Sequence, residues 1–197
     1  MAYLFVRHGE TDWNSANKIQ GTTDIPLNEN GIKQAKLVCE ALQNENVKLD
    51  RIYSSGKVRA LTTANIIGEK YGIEVKTVPG LEEMNLGIFE GHTWEEVESL
   101  YSEEFSRWWD NKRYYRMAGG ESYQDVLVRF FAAFDEIRSE RKGESDVLIV
   151  THSGVIMTLL TVLHDLDFRT AYMELKIGNT KVVKLTKSEL EEIRKKI

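Results

Sequence analysis

The sequence predicts an α/β fold, a three-layer α/β/α sandwich built on a mostly parallel central sheet. Short apolar runs alternate along the chain with stretches whose apolar residues recur at helical spacing, which is typical of β-α-β units. Two of the runs, at 3–6 and 147–150, are continuously apolar, as in strands covered on both faces. No repeat, low-complexity tract or linker interrupts the 197 residues, so we expect a single domain over 1–197.

The composition argues against several classes of protein. A net charge of −5 disfavours a general nucleic-acid binder, and no apolar run approaches the length needed to cross a membrane. The segment Ala2–Val6 is too short for the core of a signal peptide. Cys39 is the only cysteine, so no intramolecular disulfide can form and a cytoplasmic location is expected.

The first strand, Tyr3–Val6, ends abruptly at Arg7-His8-Gly9. Ligands of open α/β sheets bind just beyond the carboxyl ends of the strands, where Arg7 and His8 would lie. The planar guanidinium group of arginine binds phosphate oxygens, and a histidine can attack phosphorus, so the pair suits phosphoryl chemistry. The tripeptide alone leaves a second interpretation open, in which Arg7 caps the sheet and His8 is a turn residue.

A polar stretch at 12–30 follows and is too long to be a mere connector. A helix is expected to begin near Asn28. Its buried face is predicted to carry Ile32, Ala35, Cys39 and Leu42. The cysteine on this face is therefore interpreted as a small core residue.

The second strand is expected over 51–55, followed by a helix over 57–71 with Ser54 or Ser55 as its N-cap. Arg59 then lies in the first turn of that helix. A helix N-terminus already attracts anions, so an arginine at this position is well placed to bind a phosphate. A surface salt bridge is the alternative role for this arginine.

A short third strand is expected over 74–78, and a glycine-punctuated loop over 81–91 carries three acids. Thr93 and Glu96 form a capping-box pattern, which predicts a helix over 93–111. The tryptophans of this helix are interpreted as packing residues.

A basic and aromatic cluster follows at the end of that helix. Its cations are Lys112, Arg113 and Arg116. Two interpretations stay open, a solvated helix end and a lid over an anionic substrate.

The opening pattern recurs late in the chain. A helix over 122–140, with an apolar stripe, precedes a strand that ends in Thr151-His152-Ser153-Gly154. The stripe consists of Val126, Phe130, Phe134 and Ile137. A helix over 155–163 follows, so His152 is expected at the carboxyl end of a strand and above a helix N-terminus.

The chain closes with a strand expected over 180–185 and a helix whose capping pattern is Ser188 with Glu191. The apolar side of this helix consists of Leu190, Ile193 and Ile197. The sequence leaves open whether that side docks on the domain or meets a second subunit in a homodimer.

Several motifs of this chain recur together in one known family. They are Arg7-His8-Gly9-Glu10-Thr11 with Trp13-Asn14, Gln20-Gly21, Pro26-Leu27, Ser54-Ser55 with Arg59-Ala60 and Thr63-Ala64, Glu83 with Gly87 and Glu90-Gly91, Gly119-Gly120-Glu121-Ser122, and Thr151-His152-Ser153-Gly154. In this order they resemble the histidine phosphatase superfamily, in the branch that includes cofactor-dependent phosphoglycerate mutases and small phosphatases. The resemblance extends from Leu4 to about Thr180.

The resemblance implies a catalytic role for five residues. His8 would be the nucleophile that forms a phosphohistidine, and it must be neutral to attack phosphorus. Arg7, Arg59 and His152 would surround the phosphoryl oxygens and stabilise the charge that develops there. Glu83 would protonate the leaving oxygen and then take a proton from the attacking water.

The resemblance also implies residues that bind the phosphate or the rest of the substrate. Asn14 would add a neutral donor to the pocket, and Gln20, Gly21 and Ser153 would line it. Relatives carry a helical cap insertion over the substrate at about residues 93–120. The basic cluster of that cap would contact the far end of the substrate.

The expected function is metal-independent hydrolysis of small phosphomonoesters, with a small phosphorylated metabolite as partner and no cofactor, nucleic acid or membrane. No metal is expected because arginines supply the electrostatic stabilisation and the four histidines lack metal-ligand spacing. The alternative is a cofactor-dependent phosphoglycerate mutase. Such mutases are longer and carry a proline-rich insertion, whereas this chain has only Pro26 and Pro79. A non-catalytic phosphate-binding protein is a third, less favoured hypothesis, because no residue of the pocket is missing.

Overall fold

The computed structural model describes residues 2–140, 143 and 145–197, and it places five strands of these residues in one sheet. The strands are β1 (Tyr3–Arg7), β2 (Leu49–Ser54), β3 (Val75–Thr77), β4 (Asp146–Thr151) and β5 (Val182–Leu185). Their order is β3-β2-β4-β1-β5, with parallel pairing throughout except between β1 and β5. The predicted mostly parallel sheet is confirmed, and its antiparallel member is the edge strand β5.

Helices connect the strands and cover the sheet. They are α1 (Asp12–Ser15), α2 (Glu29–Asn44), α3 (Val58–Tyr71), α4 (Trp94–Leu100), α5 (Ser102–Asp110), α6 (Tyr123–Ser139), α7 (Ser153–Leu163), α8 (Ala171–Leu175) and α9 (Lys187–Lys195). A single 3₁₀ turn, Gly87–Phe89, lies in the loop before α4.

Two buried clusters lie on the two faces of the sheet. Successive side chains of a strand point to opposite faces, and β1 divides accordingly: Tyr3 and Phe5 join one cluster, and Leu4 and Val6 join the other. The first cluster contains apolar residues of α6, α7 and α9, and the second contains apolar residues of α2 and α3. The helices therefore form a layer on each side of the sheet, as expected from the sequence.

The buried face of α2 differs from the expectation at one position. Ala35, Cys39 and Leu42 are buried, but Ile32 is 38% exposed and Gly31 takes its place on the inner side. A Cβ on Gly31 would lie 2.1 Å from the Glu10 carbonyl oxygen, so backbone packs directly on backbone there. This close approach sets the rotation of the first turn and turns Ile32 outward.

The N-terminus of α3 also differs from the expectation. Neither Ser54 nor Ser55 is its N-cap; that position is Lys57, whose side chain makes no capping bond. The Asp24 carboxylate accepts a hydrogen bond from the Val58 N–H at 2.8 Å. A residue of the loop between α1 and α2 thus satisfies a free N–H in the first turn of α3.

The expected helix over 93–111 is two helices, α4 and α5. The capping box of Thr93 and Glu96 forms as predicted, but Tyr101 leaves the helical region with φ −128° and ψ 38°. Its ring packs against Phe89 and His92, with centroids 6.1 and 5.5 Å away. A tertiary contact therefore coincides with a break that periodicity does not show.

Other boundaries shift by a few residues. The stretch 12–30 contains the short helix α1, and α7 begins at Ser153 rather than Val155. The capping box of α9 is formed by Thr186 and Glu189, not by Ser188 and Glu191. Within α9 the two apolar residues Leu190 and Ile193 are fully buried in the cluster with α6 and α7, whereas Ile197 is 41% exposed. The apolar side of α9 therefore docks on its own chain; the homodimer stays a prediction.

Candidate active site

Two histidines meet where two neighbouring strands end. Strands β1 and β4 pair in parallel with Arg7 opposite Thr151, so His8 and His152 follow adjacent strand ends. Their ring centroids are 5.1 Å apart and the ring planes are inclined at 61°. Both residues are buried, with 2% and 0% of their surface exposed. The sheet thus brings together two residues that are far apart in the sequence.

The tautomer of His8 is fixed by its neighbours. Nδ1 lies 2.7 Å from the Gly9 carbonyl oxygen, which can only accept, so Nδ1 carries the proton. Nε2 accepts a hydrogen bond from Nε of Arg59 at 3.3 Å. Burial, and then the charges of Arg7 and Arg59, hold the pKa of His8 well below its ordinary value. The ring is therefore neutral near pH 7, with the lone pair of Nε2 directed toward the cations.

Backbone contacts fix the chain around His8. The Gly9 N–H donates to Oγ1 of Thr63 at 3.0 Å, and a Cβ on Gly9 would lie 2.4 Å from the Gly31 carbonyl oxygen. The His8 carbonyl accepts a hydrogen bond from Nδ2 of Asn179 at 3.0 Å. Sequence reasoning missed Asn179, because it lies in the loop before β5 and no motif marks it.

His152 has a different set of contacts. Its Nε2 lies 2.9 Å from Oγ of Ser55, whereas Nδ1 is buried and has no hydrogen-bond partner within the described residues. Burial, and then the charges of Arg59 and His8, lower the pKa of His152 well below its ordinary value. Ser55 follows the end of β2, beside β4. The sequence marked it as a possible N-cap and as part of the Ser54-Ser55 motif, but did not predict its contact with His152. Ser55 thus holds one ring nitrogen, and the other has no partner in the described structure.

Two arginines stand beside the histidine pair. Arg59 is fully buried and donates from its terminal nitrogens to the Thr23 and Gly21 carbonyls, both at 2.8 Å. Arg7 donates from Nη1 to the Ile177 carbonyl at 2.7 Å, while its buried Nε has no partner in the described structure. Burial lowers the pKa of both guanidinium groups, and the charge of Glu83 opposes that shift. Both groups are fixed by backbone carbonyls, and the carboxylate of Glu83 exerts a favourable charge effect on each.

Glu83 completes the group of titratable side chains. Its Oε1 accepts from the Met84 N–H at 2.9 Å, and its Oε2 accepts from the Gly154 N–H at 3.2 Å and from Oγ of Ser153 at 3.3 Å. A Cβ on Gly154 would lie 2.2 Å from Oε1, so only glycine admits the carboxylate this close. The acid therefore sits against the first turn of α7, directly after His152.

An ion pair anchors the loop that carries Glu83. Arg129, on α6, donates from Nη1 to the Gly80 carbonyl at 2.8 Å and from Nη2 to the Glu83 carbonyl at 3.1 Å. Its Nε donates to Glu121 at 2.8 Å, and the second oxygen of Glu121 accepts from the Asn85 N–H at 2.9 Å. The first part of this loop, at 80–85, is thereby tied to α6 through Arg129.

The other residues expected in the pocket occupy different positions. Gln20 is buried, and its Oε1 has no hydrogen-bond partner among the described residues. Gly21 contributes its carbonyl to Arg59 and has φ +49°, where an L side chain is strained. The Oδ1 of Asn14 accepts from the Thr11 N–H and from Asn179, both at 3.2 Å, so it is linked to His8 through a second amide.

A cavity of about 920 Å³ opens beside Arg7 and Ser153, the chain neighbours of the two histidines. Its wall includes aromatic residues of α4 and α5, the α6 residue Tyr123, the α8 residue Tyr172, and Lys112. Of the basic cluster, only Lys112 lines the cavity. Arg113 donates to the Lys196 carbonyl at 2.7 Å, and Arg116 pairs with Asp125. These two arginines are engaged elsewhere in the fold.

The described residues contain neither a candidate metal cluster nor a helix able to span a membrane. In 2–140, 143 and 145–197, no cluster of three or more His, Cys, Asp or Glu side chains is arranged to hold a metal ion. No helix within these same ranges has the length and apolar character required to cross a membrane.

Comparison with known proteins gives a consistent result. The sequence model of the Histidine phosphatase superfamily (branch 1) matches residues 3–193. The chain is similar to phosphoglycerate mutase-like protein 4 of Arabidopsis thaliana, with 40% identity over 158 residues, 79% of this chain and 68% of that protein. It is similar to phosphoserine phosphatase 1 of Hydrogenobacter thermophilus, with 35% identity over 164 residues, 83% of this chain and 76% of that protein.

A solved structure extends the similarity to the fold. It is a phosphoserine phosphatase mutant from Entamoeba histolytica in complex with phosphoserine, and it superposes with a TM-score of 0.75 and 29% sequence identity. The match covers 94% of this chain and 90% of that one. The relatives named here thus include a mutase-like protein and two phosphoserine phosphatases.

Proposed function

Since this chain belongs to branch 1 of the histidine phosphatase superfamily, we propose that it hydrolyses small phosphomonoesters, without a metal ion, through a phosphohistidine on His8. One observation carries the proposal. The Gly9 carbonyl fixes the proton of His8 on Nδ1, and Arg59 lies 3.3 Å from Nε2, the atom that is left to attack. A neutral imidazole held in one tautomer beside two guanidinium groups suits in-line attack on a phosphoryl group.

In the first step, Arg7, Arg59 and Nδ1 of His152 bind the phosphoryl oxygens. Nε2 of His8 forms a bond to phosphorus as the bond from phosphorus to the alcohol oxygen breaks. Glu83, in its acid form, gives its proton to that leaving oxygen, and the alcohol departs. The buried Nε of Arg7 and Nδ1 of His152 have no protein partner in the described structure, so a phosphoryl oxygen would satisfy both.

In the second step, water hydrolyses the phosphohistidine. The Glu83 carboxylate takes a proton from the water as its oxygen attacks phosphorus, and the bond from phosphorus to Nε2 breaks. Orthophosphate leaves, and His8 returns to its neutral tautomer with Nδ1 still bonded to the Gly9 carbonyl. The contacts of Glu83 with Ser153 and Gly154 hold it beside His152 and support this double role.

Phosphoglycerate mutase activity is the second candidate, favoured by the 40% identity to a mutase-like protein. It needs the same phosphohistidine, but a hydroxyl group of phosphoglycerate accepts the phosphoryl group instead of water. Incubation with 3-phosphoglycerate and a trace of 2,3-bisphosphoglycerate separates the two activities. Net isomerisation supports the mutase, and release of orthophosphate supports the phosphatase.

The decisive experiment removes the nucleophile. His8→Asn should lower turnover of p-nitrophenyl phosphate, assayed in chelator, by about 10³-fold or more, because the covalent route is lost. The wild type, quenched in alkaline detergent after brief exposure to labelled substrate, should carry a phosphoryl group that is stable in alkali, is released by later treatment with acid, and is absent from this variant. His164→Asn, at an exposed histidine at the C-terminus of α7, is the matched control. Undiminished turnover in His8→Asn would overturn the proposal.

A further inference from the structure

Lys112 carries a buried ammonium group that has no anionic partner among the described residues. Lys112 is 6% exposed, and its Nζ lies 4.3 Å from the ring centroid of Trp108, 4.5 Å from that of Trp109 and 5.5 Å from that of Tyr172. Three aromatic faces therefore surround the charge, at distances where ring quadrupoles attract a cation. Lys112 also lines the cavity that opens beside Arg7.

The absence of a counter-charge sets Lys112 apart from its neighbours. Across residues 2–140, 143 and 145–197, Nζ of Lys112 has no hydrogen bond and no ion pair, whereas Arg116 pairs with Asp125. Burial lowers the pKa of Lys112 to about 8, and the charge of Asp167 only partly opposes this. Asp167 is itself paired with Arg169. A buried cation left in this state is stabilised by an anion that enters the cavity.

A second unmatched donor lies on the same wall. Nε1 of Trp108 is buried and has no hydrogen-bond partner among the described residues. An indole N–H and an ammonium group can only donate, so the group they fit is one that only accepts. A carboxylate is such a group. A second phosphate is less suited, because the only other cation on the cavity wall is Arg7 and the wall also carries the exposed carboxylates of Glu95 and Glu98.

We propose that Lys112 is a specificity-determining residue that binds a carboxylate on the alcohol part of the substrate. The inference rests on the proposed function, in which Arg7 binds the phosphoryl end of the same molecule. Because Arg7 and Lys112 line one cavity, a single substrate can contact both cations. The substrate class is then the phosphomonoester of a hydroxy acid, with the aromatic side chains excluding water from the carboxylate and strengthening its pairing with Lys112.

The test compares two substrates that differ only at the proposed contact. In glycerol 3-phosphate a hydroxymethyl group replaces the carboxylate of 3-phosphoglycerate. The readout is the ratio of kcat/KM for 3-phosphoglycerate to kcat/KM for glycerol 3-phosphate, measured as phosphate release on the same sample. We expect this ratio to exceed one in the wild type and to fall about tenfold or more in Lys112→Met, which keeps most of the length of the side chain and removes its charge. Lys112→Arg should recover part of the ratio.

Arg113→Met is the matched control, since Arg113 is the adjacent cation and is bonded to the Lys196 carbonyl. Its ratio should equal that of the wild type. Lys112→Gln, measured in parallel, supplies the neutral variant if the methionine variant does not fold. An unchanged ratio in a folded, active neutral variant overturns the inference and leaves the phosphatase intact. Loss of the phosphatase proposal would appear separately, as p-nitrophenyl phosphate turnover that does not depend on His8.

Discussion

Arg59 and Lys112 are both buried cations, but their surroundings differ. Each of the three nitrogens of Arg59 donates a hydrogen bond, two of them to backbone carbonyls and one to His8. Lys112 contacts aromatic rings and has no hydrogen bond in the described part of the chain. The first cation is fixed by main chain and the second by side chains. We infer that the region around Arg59 determines the reaction and that the region around Lys112 determines the substrate.

Among the changes that test this comparison, removal of the fixed cation is expected to have the largest effect. Arg59→Met should lower kcat by about 10²–10³-fold for every phosphomonoester, because the charge developing on the phosphoryl oxygens loses a preorganised donor. The ratio for 3-phosphoglycerate over glycerol 3-phosphate should stay at its wild-type value, in contrast to Lys112→Met. Steady-state kinetics on both substrates measures this. Arg107→Met, at an exposed arginine, serves as the control, and a change of ratio in Arg59→Met would erase the distinction between the two regions.

A smaller and more selective effect is expected at Glu83. Glu83→Gln removes the proton donor, so hydrolysis of glycerol 3-phosphate should fall by about 10²-fold or more, since an alkoxide leaves poorly without a proton. Formation of the phosphohistidine from p-nitrophenyl phosphate should fall much less, because nitrophenolate leaves without protonation. Rapid-quench measurement of the first turnover separates that step from hydrolysis of the intermediate.

Glu103→Gln, at an exposed carboxylate, is the control for this comparison. Equal losses in the first turnover of both substrates would contradict the assignment of Glu83 as the acid. The general acid belongs to the region that determines the reaction. The loss of rate in Glu83→Gln should therefore depend on how basic the leaving group is, and not on whether the substrate carries a carboxylate.

The smallest expected effect concerns stability. The pKa values of His8 and His152 lie well below 6.5 in the folded chain. As the pH falls through 6.5, the unfolded chain therefore binds more protons than the folded chain does. Each histidine then lowers the free energy of unfolding by up to about 1.4 kcal/mol per pH unit on the acid side. His8→Asn should remove one such contribution between pH 6.5 and 5, measured by denaturant titration.

Lys112→Met is the control for that measurement. Its pKa of about 8 places its own contribution between pH 8 and the ordinary lysine value, where the unfolded chain again binds more protons. The slope below pH 6.5 should therefore be unchanged in Lys112→Met. If the free energy of unfolding of His8→Asn fell with pH as steeply as that of the wild type, His8 would not be held neutral by the fold.

Local motifs carried most of what the sequence could predict. Arg7, His8 and His152 each follow an apolar strand, and the rule that parallel strands share a carboxyl edge was enough to bring them together. The apolar stripe of α6 and the capping box at Thr93 followed from spacing alone, whereas the face of α2 was predicted correctly except at Ile32. Each of these features is marked by a motif whose own residues are close together in the chain.

Contacts between distant segments were beyond sequence reasoning. Ser55 positions His152 across 97 residues, and Asn179 reaches the His8 carbonyl across 171. The aromatic surroundings of Lys112 combine Trp108 of α5 with Tyr172 of α8, so the run of basic residues did not reveal which of them lines the cavity. The sequence showed a cluster of cations, and tertiary packing places one of them, Lys112, on the cavity wall.

The tryptophans around the cavity have a practical consequence. Trp94, Trp108 and Trp109 line it, and they are three of the four tryptophans in the chain. The planes of Trp94 and Trp108 are stacked at 9° with centroids 5.3 Å apart. Intrinsic fluorescence of the unlabelled protein is therefore dominated by the wall of its own cavity, and an emission titration can report occupancy by a non-chromogenic ligand directly.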